Sequence, residues 1–259
     1  MALNDSIACW GGTPDTLPGS LPITQLAWKA VTVGGFHACG ILKNDTVRCW
    51  GRDALQVGPP PSLKFASISA GGYHTCGLVL ETSTIRCYAS VSYQLTIQGY
   101  DSVGQYTQVV SGGGHVCAIH VNGSVPCWGV AFYAQTVLTA LPSVPKQLIG
   151  GAYHTMALFK DGSLMVWGGL GMEVGQSSIP AGKAWSMADV FNLHACGITT
   201  AGKLLCWGQD TNGSVDGVPP HVDSWYALAV GGYFTCGITM EERVIACWGN
   251  NDQGQLKIP

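Results

Sequence analysis

A Cys-Trp-Gly triplet, or a near relative of it, returns at a fixed interval along the whole chain. Its aromatic member is Trp10, Trp50, Tyr88, Trp128, Trp167, Trp207 and Trp248, with successive spacings of 40, 38, 40, 39, 40 and 41 residues. A second element precedes every copy but the first: GGFHAC, GGYHTC, GGGHVC, GAYHTM, FNLHAC and GGYFTC. Between the two elements lies a hairpin signal, with turns at Asn44-Asp45, Asn122-Gly123 and Asp161-Gly162, residue types that tolerate positive φ. Nine residues before the His position stand Trp28, Phe65, Tyr106, Pro145, Trp185 and Trp225, each leading into a short apolar run. The unit therefore reads as strand, Gly-Gly corner, strand, turn, strand and a long variable connection.

One such unit cannot bury its own faces. Units of about 40 residues packed radially can, and a closed ring removes the exposed sheet edges. The expectation is an all-β fold, a seven-bladed β-propeller forming one domain over residues 1–259. The first repeat lacks its leading strand. The chain stops at GQLKIP without supplying that strand, so simple end-to-end closure is incomplete.

Composition excludes several classes. Charged residues make up 10% of the chain, the formal net charge is −3, and Lys and Arg form no cluster, which argues against phosphate contacts with nucleic acid. No run of 18 apolar residues suggests a membrane-spanning helix. The first residues, MALNDSIACWGG, have no basic start and no apolar run; they already belong to a repeat rather than to a signal peptide.

The cysteines pair by spacing: Cys39 with Cys49, Cys76 with Cys87, Cys117 with Cys127, Cys196 with Cys206, and Cys236 with Cys247. Each pair flanks one hairpin, which predicts five disulfides within blades. The fourth full repeat has Met156 and Val166 at these positions, so both half-cystines are replaced together by apolar residues. Zinc sites need short Cys-x-x-Cys spacings, and none exist, so no metal and no cofactor is expected. Cys9 is left over: either it is free or it is available to link two chains into a dimer. Oxidised staples place the protein in a secreted or extracellular setting. Four Asn-X-Ser/Thr sequons, at Asn4, Asn44, Asn122 and Asn212, agree with that setting, although Asn is also a good turn residue.

The GGxHTC…CWGxNxxGQL pattern, seen best in GGYFTCGITMEERVIACWGNNDQGQL, resembles the RCC1-like repeat family. The cysteine-bearing form is similar to the extracellular repeats of CRINKLY4-type receptor kinases and of related secreted bacterial proteins. The resemblance covers essentially the whole chain. It implies the propeller fold but not one function, because members include a nucleotide-exchange factor, ubiquitin-ligase domains, a photoreceptor, receptor ectodomains and an inhibitor of β-lactamases.

His37, His74, His115, His154 and His194 share one repeat position. Five copies in one register indicate a structural part bonded to backbone near a corner rather than a catalytic base. No carboxylate pair, GxSxG elbow or phosphate loop stands out, so an enzyme is not expected. Trp28, Trp185 and Trp225 are read two ways, as packing between blades or as an exposed ring for sugar stacking. The connections after Trp-Gly are neutral and rich in aromatics and amides, and segments AFYAQ and SVSYQ are the most distinctive. Candidate binding residues are thus Tyr93, Tyr133, Gln135, Trp28, Trp185 and Trp225. The leading expectation is a secreted carbohydrate-binding lectin. The alternative is a protein-binding propeller, either a receptor ectodomain or an enzyme inhibitor; a glycan-processing enzyme ranks third. The partner is accordingly a glycan or an extracellular protein.

Overall fold

The computed structural model describes residues 7–11, 26–51, 58–89, 104–130, 132–138, 140–171 and 175–258. The fold is all-β. Among the described residues eighteen strands form six three-stranded antiparallel sheets, each in the order first, second, third strand. The contacts divide the chain into two compact units, residues 1–131 with 259, and residues 132–258.

In the first unit the sheets are β1 (Trp28–Val33), β2 (His37–Leu42) and β3 (Val47–Gly51); β4 (Phe65–Ala70), β5 (His74–Val79) and β6 (Ile85–Ala89); β7 (Tyr106–Ser111), β8 (His115–His120) and β9 (Cys127–Gly129). In the second they are β10 (Gln147–Gly150), β11 (His154–Leu158) and β12 (Leu164–Gly168); β13 (Trp185–Val190), β14 (His194–Thr199) and β15 (Leu204–Gly208); β16 (Trp225–Val230), β17 (Phe234–Thr239) and β18 (Ile245–Gly249). The expected unit of three strands is thus found six times among the described residues, not seven. Residues 7–11, which carry Cys9 and Trp10, form no strand. Ile7 and Leu26 instead pack against the core of Trp28, Ala38 and Trp50.

The cores lie between consecutive sheets. In the first unit Cys39, Ile41 and Val47 pack on Phe65 of the next sheet, and Cys76, Leu78 and Ile85 pack on Val109, Val116, Ala118 and Trp128. In the second, Ile149, Met156 and Leu158 meet Trp185, Ala195 and Trp207, while Cys196, Ile198 and Leu204 meet Trp225 and Trp248. All five expected disulfides form, each joining directly opposed residues of a second and third strand. Met156 and Val166 hold the same register in the sheet without a bridge. Cys9 is an exposed free cysteine.

Repeats are also tied by backbone bonds. The amide of each leading aromatic donates to the tip of the preceding hairpin: Phe65 to Asp45 and Tyr106 to Ser83 in the first unit, Trp185 to Gly162 and Trp225 to Gly202 in the second. These tip residues all have positive φ, so the second residue of each turn, and not both, carries the left-handed conformation.

Candidate interaction face

Two motifs meet at one end of every sheet. The corner before the second strand closes on itself, Gly34 donating to the His37 carbonyl and Gly71 to that of His74, both at 2.8 Å. The third strand ends beside it at the Trp-Gly glycine. Gly51, Gly129, Gly168, Gly208 and Gly249 have φ between +87° and +106°, and a Cβ there would press on the carbonyl just before the His position. The next residue then donates to that same carbonyl: Val130 to Gly114, Gly169 to Tyr153, Gln209 to Leu193 and Asn250 to Tyr233. These four connections are thus pinned where they start, next to the corner.

The residue preceding each His lies on this end: Phe36, Tyr73, Gly114, Tyr153, Leu193 and Tyr233. In the first unit the Phe36 and Tyr73 rings stand 4.8 Å apart. In the second, Tyr133 packs edge-on against Tyr153 at 5.1 Å, and the Leu170 amide donates to the Tyr133 carbonyl at 3.1 Å. Around that pair three apolar side chains are left in water: Phe132 is 86% exposed, Leu170 70% and Val137 60%. Large exposed apolar groups gathered at one place mark an interaction surface. The corner aromatics went unassigned at the sequence level, although GGFH, GGYH and GAYH display them; the missing information was that corners and connections share an end.

The candidate binding residues divide. Tyr133 lies in this cluster, half-buried. Tyr93 and the SVSYQ segment lie outside the described residues. Gln135 corrects the expectation: it is buried, and its Oε1 accepts the Tyr133 amide at 2.8 Å, a bond that Gln255 repeats with Gln253. It shapes the turn rather than facing a ligand. Trp28, Trp185 and Trp225 also correct it, being 2–3% exposed and therefore offering no ring face for stacking. They pack against Trp50, Trp207 and Trp248 of their own repeats at 5.2–5.5 Å. A Cβ on the glycine three residues after the His position (Gly40, Gly197 and Gly237) would collide with them. Where the aromatic is Tyr106 or the position is Pro145, that glycine is Ala118 or Ala157.

All five histidines are buried. Two of them pair with a side chain rather than with the expected backbone. His37 Nε2 pairs with the Thr75 hydroxyl at 2.8 Å, and His194 Nε2 with the Thr235 hydroxyl at 2.9 Å. In both cases the partner is the residue after the His position in the next repeat. For His74 and His154 that residue is Val116 and Ala195, and neither ring nitrogen of either finds a partner among the described residues. Burial, aided by His115 and His37, lowers His74 to a pKa of about 3; burial lowers His154 and His194 to about 4. Asp189, half-buried, is raised to about 6 by desolvation although it accepts the amides of Val190 and Val230.

An open cavity of about 280 Å3 in the second unit is lined by His221, Asp223, Ser224, Glu241, Glu242 and Val244. Among the described residues no group of three His, Cys, Asp or Glu side chains fits a metal ion, and no helix is long and apolar enough to cross a membrane.

A family model described as the regulator of chromosome condensation (RCC1) repeat matches residues 28–54. Among solved structures, the ectodomain of the receptor kinase CR4 from Physcomitrella patens is similar at 24% identity and TM-score 0.70, over 85% of this chain and 63% of that one. This chain therefore spans less than two thirds of the moss ectodomain. The CRINKLY WD40 ectodomain of the receptor kinase ACR4 from Arabidopsis thaliana gives 25% identity and TM-score 0.70, over 86% and 82%. Prp20p from Saccharomyces cerevisiae gives 16% identity and TM-score 0.72, over 90% and 74%.

Proposed function

We propose that this chain, an RCC1-like repeat, disulfide-bearing all-β domain similar to the plant receptor ectodomains, is a non-catalytic module that binds a protein partner outside the cell. The observation that carries the reading is the neutral apolar cluster of Phe132, Val137, Leu170 and the Tyr133–Tyr153 pair, on the end where corners and connections meet. Exposed aromatic and aliphatic anchors suit a protein surface, where a few such residues supply most of the affinity. The staples and the two receptor ectodomains support an extracellular setting.

This reading takes the place of the lectin. The sugar-stacking ring loses Trp28, Trp185 and Trp225 to the cores, and Gln135 to a turn. A single domain closed as a seven-bladed ring, with the Cys9–Trp10 segment in the seventh blade, belongs to the same proposal.

The test is site-specific photocrosslinking on the oxidised protein, with the reactive side chain at position 132 or, as control, at position 44 on a hairpin tip. The expected result is one extracellular protein captured from 132 and not from 44. Equal capture from both, or sugar binding on a glycan array with no protein captured, overturns the proposal.

A further inference from the structure

The four sequons are separated by the structure. Asn4 lies outside the described residues. Asn44 and Asn122 occupy one equivalent position, the tip of the hairpin between second and third strands, and both are exposed in the first unit. Asn44 Oδ1 accepts the Thr46 amide at 3.2 Å and the Thr46 hydroxyl at 2.7 Å. Asn122 Oδ1 accepts the Ser124 amide at 2.9 Å and the Ser124 hydroxyl at 2.7 Å. The carboxamide nitrogen, Nδ2, takes no part in either turn. Asp161 stands at the same position three sheets after Asn44's and makes the same two bonds to Ser163, at 2.9 and 2.7 Å. The turn therefore requires an acceptor oxygen, which Asp supplies equally; it does not require the nitrogen that distinguishes Asn. At Asn212 the arrangement differs. Ser214 is fully buried and its hydroxyl accepts the Thr211 amide at 3.1 Å, so it is not turned to the Asn212 side chain.

We propose that Asn44 and Asn122 are N-glycan acceptors, so that the hairpin-tip end of the first unit is its sugar-covered end. In the transfer, Nδ2 forms a bond to C1 of an oligosaccharide carried on a lipid diphosphate. The bond from C1 to the phosphate oxygen breaks, the lipid diphosphate leaves, and the amide proton passes to a base of the transferase. In β2 the chain runs from the corner to the tip, a six-residue strand of roughly 20 Å. The sugars would stand that far from the Phe36–Tyr73 rim and leave it bare. This rests on the extracellular reading above, and it adds a direction: a partner approaches the first unit from its corner end.

The experiment expresses the full chain behind a cleavable secretion leader in a eukaryotic host. Intact mass is read before and after peptide N-glycosidase. Two glycan masses are expected, one lost in Asn44→Asp and the other in Asn122→Asp, with both variants secreted because Asp keeps the turn as Asp161 does. Exported protein with its disulfides formed but with polypeptide mass alone, or with sugar only at Asn4 or Asn212, overturns the proposal and leaves the extracellular reading standing. A chain retained in the cell with reduced cysteines overturns both.

Discussion

The two units differ at their corners. In the first, the corners are glycine on glycine. The Gly35 amide donates to the Gly71 carbonyl at 3.0 Å and Gly72 to Gly112 at 3.1 Å, and a Cβ on Gly71 would collide with the Gly112 carbonyl and the His74 ring. In the second, the corners read Gly-Ala, Phe-Asn and Gly-Gly. No corner-to-corner amide bond appears there among the described residues, and the closing bond from Phe191 to His194 stretches to 3.4 Å. A side-chain link is common to both units: Thr32 Oγ1 accepts the Ala70 amide at 3.0 Å and Ser69 Oγ that of Ser111 at 2.9 Å, as Asp189 accepts the Val230 amide at 2.8 Å. In the second unit the indoles of Trp207 and Trp248 also donate to the carbonyls of Gln176 and Ser214. Backbone-to-backbone stitching tolerates no side chain at the joint; where it is absent the side-chain links remain and the corner is free to vary. The bulkier corners and the most exposed large apolar residue among the described residues, Phe132, fall in the same unit.

The largest expected effect tests what the two units share, their buried imidazoles. His74, His154 and His194 stay neutral in the fold far below the ordinary histidine pKa of 6.5, whereas the unfolded chain takes up protons there. Stability is therefore complete above about pH 6.5 and falls as pH drops towards 4, by about 1.4 kcal/mol per group for each pH unit in the window. Asp189 runs the other way, keeping its proton up to about pH 6 and favouring the fold on the acid side, but it is one group against three. Urea midpoints measured from pH 7 to 4.5 should fall steadily; a flat profile would show that the histidines are hydrated.

Next in size is the glycine contrast. Gly71→Ala should cost several kcal/mol, since backbone must move, whereas a Cβ on Gly232 meets nothing within 4 Å and Gly232→Ala should be close to neutral. Equal melting temperatures for the two variants would break the distinction between the units.

The bridge missing from the second unit offers a gain instead. Met156→Cys with Val166→Cys places two thiols in the register that the five native pairs use, and closure of so short a loop should add about 3 kcal/mol. Thermal melts with and without reductant read it directly. The native protein meanwhile should titrate a single thiol, that of Cys9.

Smaller again is the His–Thr link. Thr75→Val leaves the His37 ring without its hydroxyl and should cost about 1–3 kcal/mol, and Ala195→Thr offers His154 the partner that His194 already has. If Thr75→Val is silent in denaturant unfolding, water rather than threonine satisfies these rings. The smallest effect belongs to Phe132→Ser, which should leave stability unchanged while removing the capture expected of that cluster.

Much of this was legible in the chain because it repeats. The period, the three-strand unit and the cysteine pairs are relations within a repeat, where spacing alone carries the information. Relations between repeats were not legible. Whether Trp28 faces solvent or core depends on Gly40 lying beneath it, a pairing visible only across six repeats compared position by position. The partner of His37 is Thr75, 38 residues on. Gln135 looked like a loop residue because nothing local shows that the loop folds over its own amide. The corner aromatics were in plain view, but their union with the connections is a matter of which ends of the strands coincide.

The connections that end at Trp185 and Trp225 are fixed where they leave the corner and again where the aromatic amide meets a hairpin tip; between Gln209 and Trp225, for instance, both anchors are backbone bonds. Between those anchors a few buried or half-buried residues, Ser214, Val218 and Val222 in this case, still serve the core, and the exposed remainder is released from the duty of holding the fold. Lengthening such a segment costs only the logarithm of its length, about 0.6 kcal/mol for each doubling. Divergent selection can therefore rewrite these stretches one at a time, as it rewrites the variable loops of antibodies, and lineages sharing this framework can acquire new specificities without first acquiring new stability.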